Sequence, residues 1–125
     1  MNRSLYTLIA VLFTVVFLAT KVSAQEPADA EHGKEVFNRH CAPCHARGPG
    51  NDGLEMLPAP TALTIKYRGA LSPYIEERKD LANATVLTTF IRNGVVSMPP
   101  FRKTEISDSD IDDLAAYISE ASKGY

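Results

Sequence analysis

The chain has 125 residues, with 13 Lys and Arg against 15 Asp and Glu and a formal charge of −2 at neutral pH. That balance excludes the electrostatic footprint of a protein that binds nucleic acid or an anionic membrane surface. The length allows one small domain, and two cysteines allow at most one internal disulfide.

In chain order, Asn2 and Arg3 make a short positive start, Leu5 to Ala19 is an almost unbroken apolar run, and Val22-Ser23-Ala24 is an A-x-A-like cleavage site. A spanning helix needs about 20 apolar residues, so this shorter run ended by small residues reads as a secretory signal peptide. The expected organisation is a cleaved signal over residues 1–24 and a mature domain over residues 25–125, exported to the periplasm with no stable membrane anchor after cleavage. The mature domain keeps 11 Lys and Arg against 15 Asp and Glu. In that oxidising compartment two cysteines would ordinarily pair.

Gln25 to Asp29 is a polar leader containing Pro27. Ala30 to Arg39 reads as a helix with Gly33, Val36, Phe37 and His40 at spacings of three and four. Gly48, Pro49, Gly50, Asn51, Gly53, Pro58 and Pro60 then predict a long loop from Arg47 to Pro60. Loops of that length inside small domains are usually functional, and wrapping a large flat cofactor would suit this one. Short helices are predicted over Ala62–Arg68 and Pro73–Lys79. A better one spans Thr85–Asn93, with Val86, Leu87, Phe90 and Ile91 on one stripe and Gly94 as its stop. A turn with Met98 and two prolines follows. Ser107 and Asp110 make a capping-box-like start for the last helix, whose apolar stripe is Ile111, Leu114, Ala115 and Ile118. No strand alternation of useful length occurs, so the fold class is all-α.

Chemistry concentrates at Cys41-Ala42-Pro43-Cys44-His45, the C-x-x-C-H pattern of covalent haem attachment. Two thiols three residues apart can each add to a haem vinyl group, and the next residue sets its imidazole beneath the iron. A thioredoxin-like pair would need a βαβ context that is missing, and a structural zinc site needs four ligands where the chain offers two Cys and at most three His. One haem c with its iron is therefore the expected cofactor. Candidates for the sixth iron ligand are Met56, Met98, His32 and His40. Met98 is preferred because Pro99 and Pro100 stiffen its backbone, and a thioether ligand raises the potential in a way that suits an electron carrier. The free ring N–H of His45 should donate to a backbone carbonyl, for which Pro58 or Pro60 would serve.

These residues resemble class I c-type cytochromes over essentially the whole mature chain. Gly33-x-x-x-Phe37-x-x-x-Cys41-x-x-Cys44-His45 looks like the family's first helix running into its haem motif, and Leu114-x-x-Tyr117 resembles the contact face of its last helix. The resemblance implies three to five helices wrapped around one covalent haem. It also implies that Gly33, Phe37, Leu114 and Tyr117 form a close crossing of the first and last helices. A narrower resemblance, carried by Tyr67-Arg68-Gly69, Glu76 to Leu81 and Ile91 to Ser107, is to the cytochrome subunits of flavocytochromes that oxidise 4-alkylphenols, such as eugenol hydroxylase and p-cresol methylhydroxylase. It implies electron transfer from a flavin-containing partner subunit, with no catalysis by this chain on its own. The alternatives are a free periplasmic shuttle to a terminal oxidase or reductase, and a haem peroxidase or gas-binding protein with an open sixth site.

Overall fold

A computed structural model describes residues 26–47 and 57–125. The segment assigned to a signal peptide, Met56 and most of the Arg47–Pro60 loop lie outside the described residues.

Helix α1, Ala30–Val36, begins where the Asp29 carboxylate accepts the Glu31 and His32 N–H groups, satisfying donors that have no carbonyl one turn earlier. The helical path does not stop at Arg39. It passes through a π-helical turn, Phe37–Cys41, into α2, Ala42–His45, where Pro43 sits in the first turn and its missing N–H costs nothing. The haem motif is thus held on helix rather than on loop.

Helix α3, Pro58–Tyr67, starts four residues earlier than predicted. Pro58 and Pro60 read in sequence as loop punctuation, but both fall in the first turn, where a fixed φ is already helical. Arg68 ends α3 in the left-handed region, at φ 50°. The predicted helix over 73–79 is replaced by two 3₁₀ turns, Ile75–Glu77 and Lys79–Leu81, separated by extended backbone at Arg78. That break lets the Arg78 side chain turn inward: it is buried, paired bidentately with Asp80, and lies over the Tyr67 ring at 4.8 Å. The single carboxylate partner and the ring compensate a charge that would otherwise be costly to bury.

Helix α4, Ala84–Asn93, is capped by Asn83, whose side chain accepts the Thr85 and Val86 N–H groups. Leu87 and Ile91 are buried, whereas Phe90, assigned to the same stripe, is 40% exposed because it falls on the flank of that face. Helix α5, Asp108–Ala121, opens with the expected capping box between Ser107 and Asp110. Among the described residues no strand occurs, only one two-residue bridge between Val95 and Met98, so the fold is all-α. Among the same residues no helix is long and apolar enough to cross a membrane.

The core consists of Val36, Phe37, Leu87, Ile91, Ile106, Ile111, Leu114, Ala115 and Ile118. Full burial of each large side chain contributes roughly 1.5–3 kcal/mol relative to exposure. At the crossing of α1 and α5, a Cβ added at Gly33 would lie 2.0 Å from the Asp113 carbonyl oxygen, so only glycine permits this approach. Phe37 and Tyr117 pack beside it with ring centroids 5.5 Å apart, as the resemblance implied. Leu114 is buried at the same place.

Candidate functional site

The π turn and α2 present the motif. Cys41 is partly buried against the apolar core, Cys44 is exposed, and neither takes part in a disulfide. Burial, with a smaller contribution from Cys44, pushes the Cys41 thiol up to about 12. Thiol exchange needs a thiolate near neutral pH, so Cys41 is poorly disposed to a thioredoxin-like reaction. Burial also lowers the His45 imidazole pKa below its ordinary value, favouring the neutral ring that ligates metals.

His45 Nδ1 is buried and has no hydrogen-bond partner among the described residues. The expected donation to Pro58 or Pro60 is not made, because both prolines belong to α3, whose carbonyls point along the helix axis. An imidazole with a buried Nδ1, two thiols at the vinyl-addition spacing and a thioether that shares an apolar cluster with Cys41 form a donor set that fits an iron porphyrin.

Met98 lies in the connection between α4 and α5. It is partly buried and packs on the same core cluster as Cys41 and Phe101. The turn carrying it is closed by two reciprocal bonds, Val95 N–H to the Met98 carbonyl at 3.1 Å and Met98 N–H to the Val95 carbonyl at 2.9 Å. Val96 occupies φ 55° at the tip of this turn, a region in which a β-branched residue is strained. At Gly94, φ is 67° and an added Cβ would lie 2.6 Å from the Met98 carbonyl oxygen, so glycine is required there.

The other sixth-ligand candidates are engaged elsewhere or lie outside the described residues. His32 Nδ1 is 2.8 Å from Asp113 and its Nε2 is 3.7 Å from Asp110, at an acid-lined cleft of about 460 Å³ that shares no residue with the motif. His40 packs against Phe101 with ring centroids 6.0 Å apart in an edge arrangement. Met56 falls in the undescribed segment.

Several contacts around the motif escaped the sequence. Arg47, two residues beyond His45, pairs with Glu77 and stacks over Tyr74 at 4.3 Å and Tyr125 at 5.4 Å. The Tyr117 hydroxyl donates to Glu76, and burial first, then Glu76, raises its pKa. These contacts tie the motif and α5 to the 3₁₀ segment over separations that no local pattern signals.

Residues 28–118 match the family model described as cytochrome c oxidase, cbb3-type, subunit III. Cytochrome c6 of Cyanidium caldarium is 32% identical over 119 residues, covering 94% of this chain and 95% of that protein. Cytochrome c6 of a Picosynechococcus species is 34% identical over 120 residues, covering 96% and 94%. That of Leptolyngbya boryana is 37% identical over 100 residues, covering 78% and 100%. No solved structure matches. The relatives are electron carriers rather than enzymes, and one covalent haem c with its iron is the cofactor the family implies. The chain belongs to the cytochrome c oxidase, cbb3-type, subunit III domain family and is a monohaem class I c-type cytochrome that transfers electrons.

Proposed function

We propose that Cys41 and Cys44 hold the haem through two thioethers, that His45 is the proximal iron ligand, and that Met98 is the distal one. The observation that carries this reading is the buried, unpartnered His45 Nδ1 in a C-x-x-C-H helix end, with Cys41 and Met98 on one apolar cluster. When bound, the haem supplies the one-electron couple between ferrous and ferric iron. The chain's own residues do the rest. Burial keeps the His45 ring neutral and able to coordinate, the paired bonds of the 95–98 turn orient Met98, and the apolar cluster keeps water from the side on which Cys41 and Met98 lie. Methionine ligation favours the reduced state and so sets a higher potential than a second histidine would.

On this reading residues 1–24 are the cleaved signal, residues 25–125 are the mature cytochrome domain, and the protein works in the periplasm. Its electrons come from a flavin-containing partner subunit of a dehydrogenase or hydroxylase, a role supported by the resemblance of residues 67–107 to flavocytochrome subunits. The second reading, a free shuttle to a terminal oxidase or reductase, is favoured by the cytochrome c6 relatives, which align over nearly the whole chain.

Two measurements test these statements. Met98→Ala should keep the covalent haem, lose the far-red charge-transfer band of methionine-ligated ferric haem, and admit external ligands; an unchanged band would remove Met98 from the site. An absorbance spectrum of untagged protein from its native extract, read for haem and flavin together, separates the partners. Stoichiometric flavin means a flavocytochrome subunit, and haem alone in a small monomer means a diffusible carrier.

A further inference from the structure

Between Gly94 and Phe101 the backbone is closed on itself by the Val95–Met98 bonds and tied to α4 at its two ends. At the first, the Gly94 N–H donates to the Phe90 carbonyl of α4 at 2.9 Å. At the second, the Phe101 N–H donates to the Ile91 carbonyl at 2.7 Å, and the Phe101 carbonyl accepts from Arg92 Nη1 at 3.1 Å. Arg92 therefore grips the far foot of the turn from the last turn of α4. Its Nη2 reaches on to the Asp108 carboxylate at 2.9 Å, the first residue of α5. The Arg92 side chain is only 17% exposed, and its Nε is buried with no partner among the described residues. The fork is thus placed where one donor goes unpaired while the other two join α4, the foot of the turn and α5.

The residues between Met98 and this foot are Pro99 and Pro100. Each proline fixes its own φ and offers no N–H, so the short link is stiff and makes few alternative hydrogen bonds. Displacement of the Phe101 carbonyl is therefore passed along the link to Met98 instead of being absorbed by it.

We infer that Arg92 is a positioning residue for the distal ligand: by clamping the Phe101 carbonyl and Asp108 together it holds the Met98 thioether against exchange with external ligands. This rests on the assignment of Met98 to the iron. An arginine that merely stapled α4 to α5 would contribute to global stability and leave ligand exchange untouched.

The test uses ferric holoprotein titrated with imidazole, with the far-red methionine band as the readout and a urea midpoint measured on each variant. Arg92→Met should keep the band in the absence of imidazole yet bind imidazole about tenfold more tightly, the scale of losing a charge-assisted hydrogen bond. Arg92→Lys should recover part of the difference, since an ammonium on a similar stem reaches one acceptor but cannot fork between two. A lowered urea midpoint with wild-type imidazole affinity in Arg92→Met would overturn the inference. If that variant does not mature, Asp108→Asn leaves the arginine in place and weakens its outer anchor together with the Lys103 ion pair on the same carboxylate; it should tighten imidazole binding about two- to threefold while Lys103→Met, which loses only the ion pair, leaves it at the wild-type value, and no change in Asp108→Asn would also overturn the inference. Met98→Ala distinguishes the underlying assignment. Imidazole affinity equal to wild type in that variant means Met98 is not the ligand, and the present inference falls with it for that separate reason.

Discussion

The crossing of α1 and α5 and the turn that carries Met98 are built from opposite materials. At the crossing, Gly33 removes a side chain so that two backbones meet, and Phe37, Leu114 and Tyr117 close the space by apolar packing. In the turn, Met98 packs on the core cluster but Val95 and Val96 are exposed, and the backbone is shaped by Gly94, two prolines, two reciprocal backbone bonds and the Arg92 fork. The first region makes the fold stable, while the second must hold one sulfur in place. Packing energy grows with area and tolerates small shifts in direction, whereas hydrogen bonds and fixed dihedrals are directional. Substitutions should therefore damage stability in one region and ligand geometry in the other.

The largest effect is expected at Gly33. Gly33→Ala would set a methyl 2.0 Å from a backbone carbonyl oxygen that belongs to a helix and cannot swing aside. The helices would have to separate, at a cost of about 3 kcal/mol or more. The expected outcome is a lowered urea midpoint with the far-red band of the surviving folded protein unchanged. A band lost before global unfolding would show that the crossing also governs the ligand.

Gly94→Ala should reverse that pattern. Its φ of 67° and the 2.6 Å approach to the Met98 carbonyl oxygen place both the strain and the clash on the turn. Strain of this kind costs on the order of 1–3 kcal/mol, and the turn can relieve it by moving Met98. Loss or weakening of the far-red band, with a smaller fall in the urea midpoint than for Gly33→Ala, is the expected result. Spectra identical to wild type would mean that the turn relaxes without moving the sulfur.

Val96 offers a change in the other direction. It is fully exposed, at 104%, and sits at positive φ where a glycine would be at ease. Val96→Gly removes strain worth about 1–3 kcal/mol and adds the extra unfolded-state freedom of glycine, about 0.5–1 kcal/mol. A net gain of about 1 kcal/mol in urea denaturation should follow. Destabilisation instead would show that Val96 makes contacts that offset its backbone.

Legibility in the sequence follows the same division. The crossing was legible through the resemblance to class I c-type cytochromes that Gly33, Phe37, Leu114 and Tyr117 carry, while the capping box at Ser107 is a local signal. The motif at 41–45 is short-range information, and so are the prolines on which the preference for Met98 rests. The helical run from Ala30 to His45 was longer than its apolar period suggested, because a π turn shifts the face at Phe37 and breaks the expected pattern. Pro58 and Pro60 misled in the opposite sense, being equally at home in a loop and in the first turn of a helix. Arg92 lies 16 residues from Asp108, and Arg47 lies 30 from Glu77, distances at which charge pairing leaves no mark on a one-dimensional pattern.

The smallest expected effect returns to the crossing and concerns pH. His32 on α1 faces Asp113 and Asp110 on α5, with Glu35 nearby on its own helix, and its pKa is raised first by the hydrogen bond to Asp113 and then by these charges. A group whose folded pKa lies above its unfolded value of 6.5 contributes stability that is fully present below that value and is lost as pH rises through the folded pKa. The His32 ring is exposed, so screening keeps the contribution small. His32→Gln retains a hydrogen-bond donor without the charge. Wild type should therefore exceed this variant in urea midpoint at pH 5.5, and the gap should close as the pH is taken from about 6.5 to 8.5. A gap that stays constant across that range would mean that the His32 contact to Asp113 acts as a neutral hydrogen bond and that charge takes no part in fastening α1 to α5.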